Sequence, residues 1–236
     1  MSRILYLGDG PLNGAACYLY GVLKHAGHKM THVPPDRRLS RKMAEKPFDL
    51  IILSDYAHAN LSRAVESAIE AQVTSGTALW MIGGWASFTG LWGKYHGTMI
   101  EKMLPVRCLT HDDRMNLGSG ARLLQAKRHP LLKGLALSPA PFVAGYNRVI
   151  PKPKSQVILK LRENASGKRN PLLVLGHFGK GKTAAWTSDV APHWCGGLVD
   201  WGCRRVKIKI GPGIKIEVGN DYVKFISQLT RWLVNC

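Results

Sequence analysis

Residues Ala78–Ile82 form an unbroken apolar run, ALWMI, that ends on Gly83-Gly84 and is followed by Trp85, Ser87 and Phe88. No other stretch limits the fold as tightly. Apolar residues without alternation fit a strand covered on both faces, as in a parallel sheet flanked by helices. The two glycines then allow a sharp turn where a side chain would clash. In several α/β enzyme families a nucleophile stands where such a strand ends. Thr77–Phe88 is therefore the first place to look for chemistry.

The chain before this stretch supports the same architecture. Ile4–Leu7 is a short apolar strand, and Gly8–Gly14 (GDGPLNG) is a turn. Ala15, Ala16, Leu19, Val22, Leu23 and Ala26 repeat at helical spacing, with Gly27 as a C-cap. Lys29–Val33 is a second strand, and Arg37–Glu45 reads as a short helix with Leu39 and Met43 inward. Asp49–Leu53 is a third strand. Asn60 or Ser62 caps a helix that carries Ala64, Val65, Ala68, Ile69 and Val73 on one stripe. The order βαβαβαβ predicts a mainly parallel sheet with helices on both faces and right-handed crossovers.

After Phe88 the pattern loosens. Thr98–Leu104 predicts a short helix stopped by Pro105, and Leu109–Val149 reads as loop with short strands such as Pro141–Ala144. Gln156–Leu161, Leu172–Leu175 and Thr183–Thr187 read as strands. Arg204–Val218 alternates around Gly211-Pro212-Gly213 and predicts a hairpin. Asn220 is expected to cap a final helix with Tyr222, Phe225, Ile226, Leu229, Trp232 and Leu233 on its buried stripe. The expected fold is an α/β sandwich with a late antiparallel part and a C-terminal hairpin plus helix. No linker or repeat interrupts it, so the expected domain count is one, over residues 1–236.

The formal net charge is +18, which favours anionic partners. The basic residues are spread over Arg37–Lys46, Lys127–Lys133, Lys152–Lys168 and Arg204–Lys215, and no segment joins a basic stripe to a known nucleic-acid module. Nucleic acid is therefore not the expected partner. No apolar run approaches the ~20 residues of a membrane span, and MSRILYLGDG lacks the apolar core of a signal peptide. A cytoplasmic protein is expected. Cys17, Cys108, Cys195, Cys203 and Cys236 are odd in number and lack CxxC spacing, which argues against a disulfide framework or an all-cysteine zinc site.

Two glycine-rich segments invite a nucleotide reading. GHFGKGKT, Gly176–Thr183, matches the phosphate-loop pattern in full. That pattern needs a helix after it, yet the following residues read as a strand and then a Pro-broken loop. Phe178–Gly181 is better taken as a hairpin turn between antiparallel strands. GDGPLNG has GxGxxxG spacing, and Arg37 or Arg38 past the second strand could meet a 2′-phosphate, but Pro11 obstructs amide cradling. No cofactor is expected. His58, His96, His111 and His193 show no metal-ligand spacing, and no metal is expected.

Asp9, Asp55 and Asp189 each stand just past the C-terminal end of a predicted strand, the edge where open α/β sheets bind ligands. Turn and N-cap roles would also suit them. Ser188–Gly202 (SDVAPHWCGGLVDWG) gathers Asp189, His193, Trp194, Cys195, Asp200 and Trp201 in one loop. Loops carry function more often than the elements they join. Cys195 with His193 would make a thiolate pair if a hydrogen bond joined them.

Taken together, LYLGDGPLNGAACYL, DLIILSDY, ALWMIGGWASFTGL with YHGT after it, VAGYNRV, PLLVLGHFGKGKTAAWTSDVAPHWCGG and VDWG resemble a bacterial family labelled putative glutamine amidotransferase. It belongs to the class I glutamine amidotransferase-like superfamily, near the trehalose-utilisation-type domains. The resemblance implies a flavodoxin-like three-layer sandwich and a hairpin turn at Gly176–Thr183. Active members of the superfamily use a Cys at the elbow, a His after a late strand and a nearby acid. Here the elbow offers Gly83, Gly84 and Trp85, and the late strand is followed by Ser188-Asp189 and then His193. The expected function is a small polar ligand, or a partner, bound at the sheet edge by Asp9, Asn13, Asp55, Gly83, Gly84, Trp85, Ser87, His96, Asp189, His193 and Trp194. One alternative is an amidase or hydrolase with Ser87 or Cys195 as nucleophile and His193 as base. Another is a non-catalytic module that meets an acidic partner through its basic surface. A homo-oligomer is compatible with each.

Overall fold

The computed structural model describes residues 1–235. In chain order the strands are β1 (Arg3–Gly8), β2 (Lys29–Val33), β3 (Leu50–Ser54), β4 (Ala78–Ile82), β5 (Val106–Cys108), β6 (Arg114–Gln125), β7 (Phe142–Asn147), β8 (Val149–Pro151), β9 (Gln156–Glu163), β10 (Arg169–Phe178), β11 (Gly181–Trp186), β12 (Arg205–Gly211) and β13 (Ile214–Gly219). The α-helices are α1 (Ala16–His25), α2 (Arg41–Ala44), α3 (Arg63–Ser75), α4 (Met99–Met103) and α5 (Asn220–Val234).

Nine strands form one sheet in the order β2-β1-β3-β4-β11-β10-β9-β6-β7. The first five run parallel, and β10, β9, β6 and β7 continue antiparallel. β4 lies inside the parallel part between β3 and β11, and all five of its residues are buried. Alternate side chains of the parallel strands enter two cores. Ile4, Tyr6, Ile52, Trp80 and Ile82 meet α1 and α5 on one face. Leu5, Leu7, Ile51, Leu53, Leu79 and Met81 meet α3 and α4 on the other. This is the flavodoxin-like α/β sandwich expected from the sequence. The β12–β13 hairpin packs its Ile210 and Ile216 so close to α1 that a Cβ at Gly21 would lie 3.0 Å from either.

GHFGKGKT is a hairpin. Phe178 pairs with Gly181 and His177 with Lys182 across antiparallel β10 and β11. Gly179 takes the turn with φ +56°, and a Cβ there would lie 2.6 Å from Thr74 Cα. A phosphate-cradling helix N-terminus does not exist here.

Three elements differ from expectation. The helix expected over Arg37–Glu45 is the single turn α2, because Ser40 caps it by accepting from Met43 N–H at 3.3 Å. The stretch read as loop contains the twelve-residue β6. Its Gly118, Ser119 and Gly120 sit at a register break between Asn116 and Ala121, which hides the alternation. Asn220 does not cap α5. Its Oδ1 instead accepts from Arg204 N–H at 2.7 Å, and the free α5 amides of Asp221 and Tyr222 reach Trp201 O at 3.0 and 3.3 Å.

Candidate functional site

The C-terminal ends of β1, β3 and β11 bring Asp9, Asp55 and Asp189 to one edge. Asp9 and Asp55 have φ of +56° and +48°, a left-handed conformation that Asp tolerates better than most residues. The turn after β1 is pinned where Asp9 N–H donates to Ser54 O at 3.0 Å. The Asp9 carboxyl accepts a hydrogen bond from the Tyr6 hydroxyl. Asp55 Oδ1 accepts from Ala86 N–H at 2.7 Å, and Asp55 N–H donates to Ser87 Oγ at 3.0 Å. Asp189 Oδ1 accepts from Val190 and Ala191 N–H at 2.6 and 2.9 Å. The turn roles are thus real, and the three carboxyls still act on one another.

Burial shifts all three in one direction, and mutual charge adds to it at Asp9 and Asp189. Burial, and then the charge of Asp55, lifts the Asp9 carboxyl to about 7. Burial also drives Asp189 well above the usual carboxylate range, with the charges of Asp9 and Asp55 adding to it. Asp55 is raised by burial, against the pull of the Ala86 and Trp85 amides and the His193 charge. A cluster of this kind favours partners that bring protons or positive charge.

The elbow after β4 is tightly built. Gly83 N–H donates to Trp186 O at 2.7 Å and to Ser188 O at 3.0 Å, and Gly84 N–H donates to Asn147 Oδ1 at 2.9 Å. A Cβ at Gly83 would lie 2.2 Å from Thr187 O, and one at Gly84 2.1 Å from Asp55 Oδ1. Only glycine fits either position, and both amides are already engaged within the chain. Gly83 and Gly84, expected among the ligand-binding residues, therefore have no free amide to offer a ligand.

Beside the elbow stands an aromatic group. Trp85 lies 6.3 Å from His193 and 5.9 Å from Trp92, ring centre to ring centre. The Arg114 guanidinium sits 4.5 Å from the Trp85 ring centre and is held by Asp112 through a 2.7 Å Nη2–Oδ2 bond. Trp92 is 57% exposed.

Not every residue expected at the edge is there. His96 Nδ1 lies 3.3 Å from Cys108 O and 3.8 Å from Glu101 Oε1, in a separate cleft. Trp194 is buried against β7, where a Cβ at Gly145 would meet its indole at 2.4 Å, and its Nε1 donates to Asn116 Oδ1 at 2.7 Å. Asn13 is exposed, in the turn after β1. Ser87 is buried, with its Oγ turned to Asp55 N–H. Cys195 is a core residue whose thiol is pushed up by burial and by Asp189. Among the described residues no hydrogen bond joins Ser87 or Cys195 to an imidazole. Sequence reasoning missed Tyr6, Trp92, Asp113, Arg114 and Asn147. Tyr6 had a signal, since its alternation with Ile4 puts it on the face that meets Asp9. Asn147 had none, being 63 positions from Gly84.

The family model described as putative glutamine amidotransferase matches residues 12–206. No curated protein matches in sequence. Among solved structures, a cytoplasmic protein of Salmonella typhimurium is similar at TM-score 0.76 and 21% identity, covering 98% of each chain. A second, from Salmonella typhimurium LT2, is 27% identical at TM-score 0.68 and covers 81% of this chain and 90% of its own. A thua-like protein of Parabacteroides merdae reaches 0.64 at 12% identity, covering 99% of this chain and 90% of its own. No helix among the described residues is long and apolar enough to cross a membrane.

Proposed function

This chain belongs to the putative glutamine amidotransferase family, and we propose that within it the chain binds a small polar ligand at the sheet edge without glutaminase chemistry. The observation that carries this reading is the convergence of Asp9, Asp55 and Asp189 beside Trp85 and His193. Ionised or protonated, each carboxyl keeps an acceptor oxygen, and the elbow amides are already used. The ligand class is therefore one that donates: an amine, an amide or a hydroxyl compound. Trp85 supplies an apolar wall for its carbon skeleton. Glutaminase chemistry would need a thiolate at the elbow, where a Cβ at either glycine would overlap Thr187 O or Asp55 Oδ1.

An amidase that uses Ser87 or Cys195 with His193 has no contact in its favour. The basic-surface module keeps only the net charge of +18 as support. Calorimetric titration with L-glutamine, glycerol and ethanolamine separates the readings. Saturable binding of one of them, weakened by Trp85→Ala and without ammonia release from glutamine, is the expected result. Ammonia release that Ser87→Ala or Cys195→Ala abolishes would replace this reading with the amidase. Binding of none, together with salt-sensitive capture of an acidic protein, would replace it with the module.

A further inference from the structure

A cleft of about 580 Å³ lies where α4 meets the small β5–β8 sheet, and none of Asp9, Asp55 or Asp189 lines it. Its size is in the range of small-molecule sites. His96, Arg107 and His111 line it together with Thr98, Thr110 and Ile150. Its one carboxylate is already engaged. Glu101 Oε1 accepts from Cys108 N–H at 2.6 Å and Oε2 from Gly97 N–H at 2.5 Å. Lys152, also in the lining, spends its ammonium on the α4 carbonyls of Glu101 and Lys102, at 2.7 and 2.9 Å. Lys102 is paired with Glu70 at 3.2 Å. No ion pair or hydrogen bond among the described residues holds the Arg107 or His111 side chains.

The register adds a second feature. Arg107 on β5 stands directly opposite Ile150 on β8. Ile150 is 53% exposed, one of few large apolar side chains left in solvent. A free guanidinium next to an uncovered isoleucine, with two imidazoles and the Thr110 hydroxyl around them, presents an anion site with an apolar flank; the Thr98 hydroxyl is spent on Tyr95 O at 2.7 Å.

We propose that this cleft binds a small organic anion, with its phosphate or carboxylate headgroup on Arg107, His96 and His111 and its hydrocarbon body against Ile150. Guanidinium fits either headgroup through paired N–H donors. The site is independent of the edge carboxyls, so either can fail alone.

The test is calorimetric titration with phenyl phosphate, benzoate and inorganic phosphate at low salt. Phenyl phosphate or benzoate is expected to bind saturably in the millimolar range or tighter, and which of the two binds better identifies the headgroup. Arg107→Ala is expected to weaken that binding about tenfold or more. Ile150→Ser is expected to remove the preference for phenyl phosphate over inorganic phosphate. Arg107 and His111 are exposed and unpaired, so both alanine variants should fold, and His111→Ala gives a second reading of the headgroup site. The proposal is overturned if neither aromatic anion saturates, if Arg107→Ala binds like the parent, or if the remote Arg37→Ala loses as much affinity, which would mark general attraction to a basic surface.

Discussion

Asn147 grips Gly84 from both sides: its Oδ1 accepts from Gly84 N–H at 2.9 Å, and its Nδ2 donates to Gly84 O at 3.1 Å. The same Nδ2 donates to Asp113 Oδ1 at 2.7 Å, and Asp113 accepts from Thr89 and Gly90 N–H at 2.8 and 3.0 Å. One fully buried carboxamide thus fixes the elbow, the loop after it and the start of β6. Asn147→Ala would leave a buried amide, a buried carbonyl and a buried carboxyl short of partners. A loss of about 2–4 kcal/mol follows from the desolvation of groups left unpaired. Urea unfolding monitored by tryptophan fluorescence checks this. The midpoint should fall with the slope unchanged, and a loss below about 1 kcal/mol would mean that water or a neighbour replaces the carboxamide.

Asp9 makes stability depend on pH. In the folded protein its carboxyl keeps its proton up to about pH 7, while the unfolded chain releases it near 3.8. Between those values the folded state binds more protons, so stability falls as pH rises through the window, and the contribution is lost above about 7. Asp189 and Asp55 are shifted in the same direction. Asp9→Asn keeps an acceptor for the Tyr6 hydroxyl and tolerates the left-handed backbone. It should therefore be stabilising, by roughly 1–2 kcal/mol at pH 8, and neutral near pH 4. Melting curves across that range test the sign. A variant less stable than the parent at pH 8 would show that the ionised carboxylate is the favoured state.

Most of this architecture was legible because the parallel strands are buried on both faces and read as continuous apolar runs. Ala78–Ile82 coincides with β4 to the residue; β2 also matches Lys29–Val33, but as a half-exposed edge strand bounded by Pro34-Pro35 and not as an apolar run. The antiparallel half was less readable. In β6 the glycines at 118 and 120 mark a register break and carry no apolar signal. At the site, the positions of Asp9, Asp55 and Asp189 follow from strand ends, which sequence pattern locates well. Which way the neighbouring side chains turn does not follow. Trp194 shares the Ser188–Gly202 loop with His193, which points to the edge, yet Gly145 on β7 offers its indole a flat seat. Long-range pairs such as Asn147 with Gly84 leave no periodic trace.

Lys182 stands where a phosphate-loop lysine would, and its structural work is different. Its Nζ donates to Trp232 O at 3.0 Å and also to Asn235 O, so the ammonium caps the carbonyl end of α5. It also lies 5.2 Å from the centre of the Trp232 ring. Lys182→Met should lower stability by about 1 kcal/mol, a fall of some 2–4 °C in Tm for a chain of this size. Lys182→Arg should restore most of it. Neither parent nor variant should bind ATP or GTP in an equilibrium dialysis assay. Nucleotide binding by the parent that Lys182→Met removes would contradict the hairpin assignment.

The cysteines give the most direct check on where nucleophilic chemistry can occur. Cys195 and Cys108 are buried, and burial together with nearby carboxylates pushes both thiols up, away from the reactive thiolate. Cys17 is buried and shifted in the same direction. Cys203 is exposed. Brief treatment of the folded protein with iodoacetamide at pH 7.5, followed by peptide mapping, should label Cys203 and leave Cys17, Cys108 and Cys195 unmodified until urea is added. Cys236, outside the described residues, falls on its own peptide and does not blur the reading. The expected contrast between Cys203 and Cys195 is about a hundredfold in rate, because attack needs both a thiolate and access to the sulfur. Rapid labelling of Cys195 in the folded protein would show that the Ser188–Gly202 loop opens to present it. The displaced-nucleophile amidase would then take precedence over the ligand-binding edge.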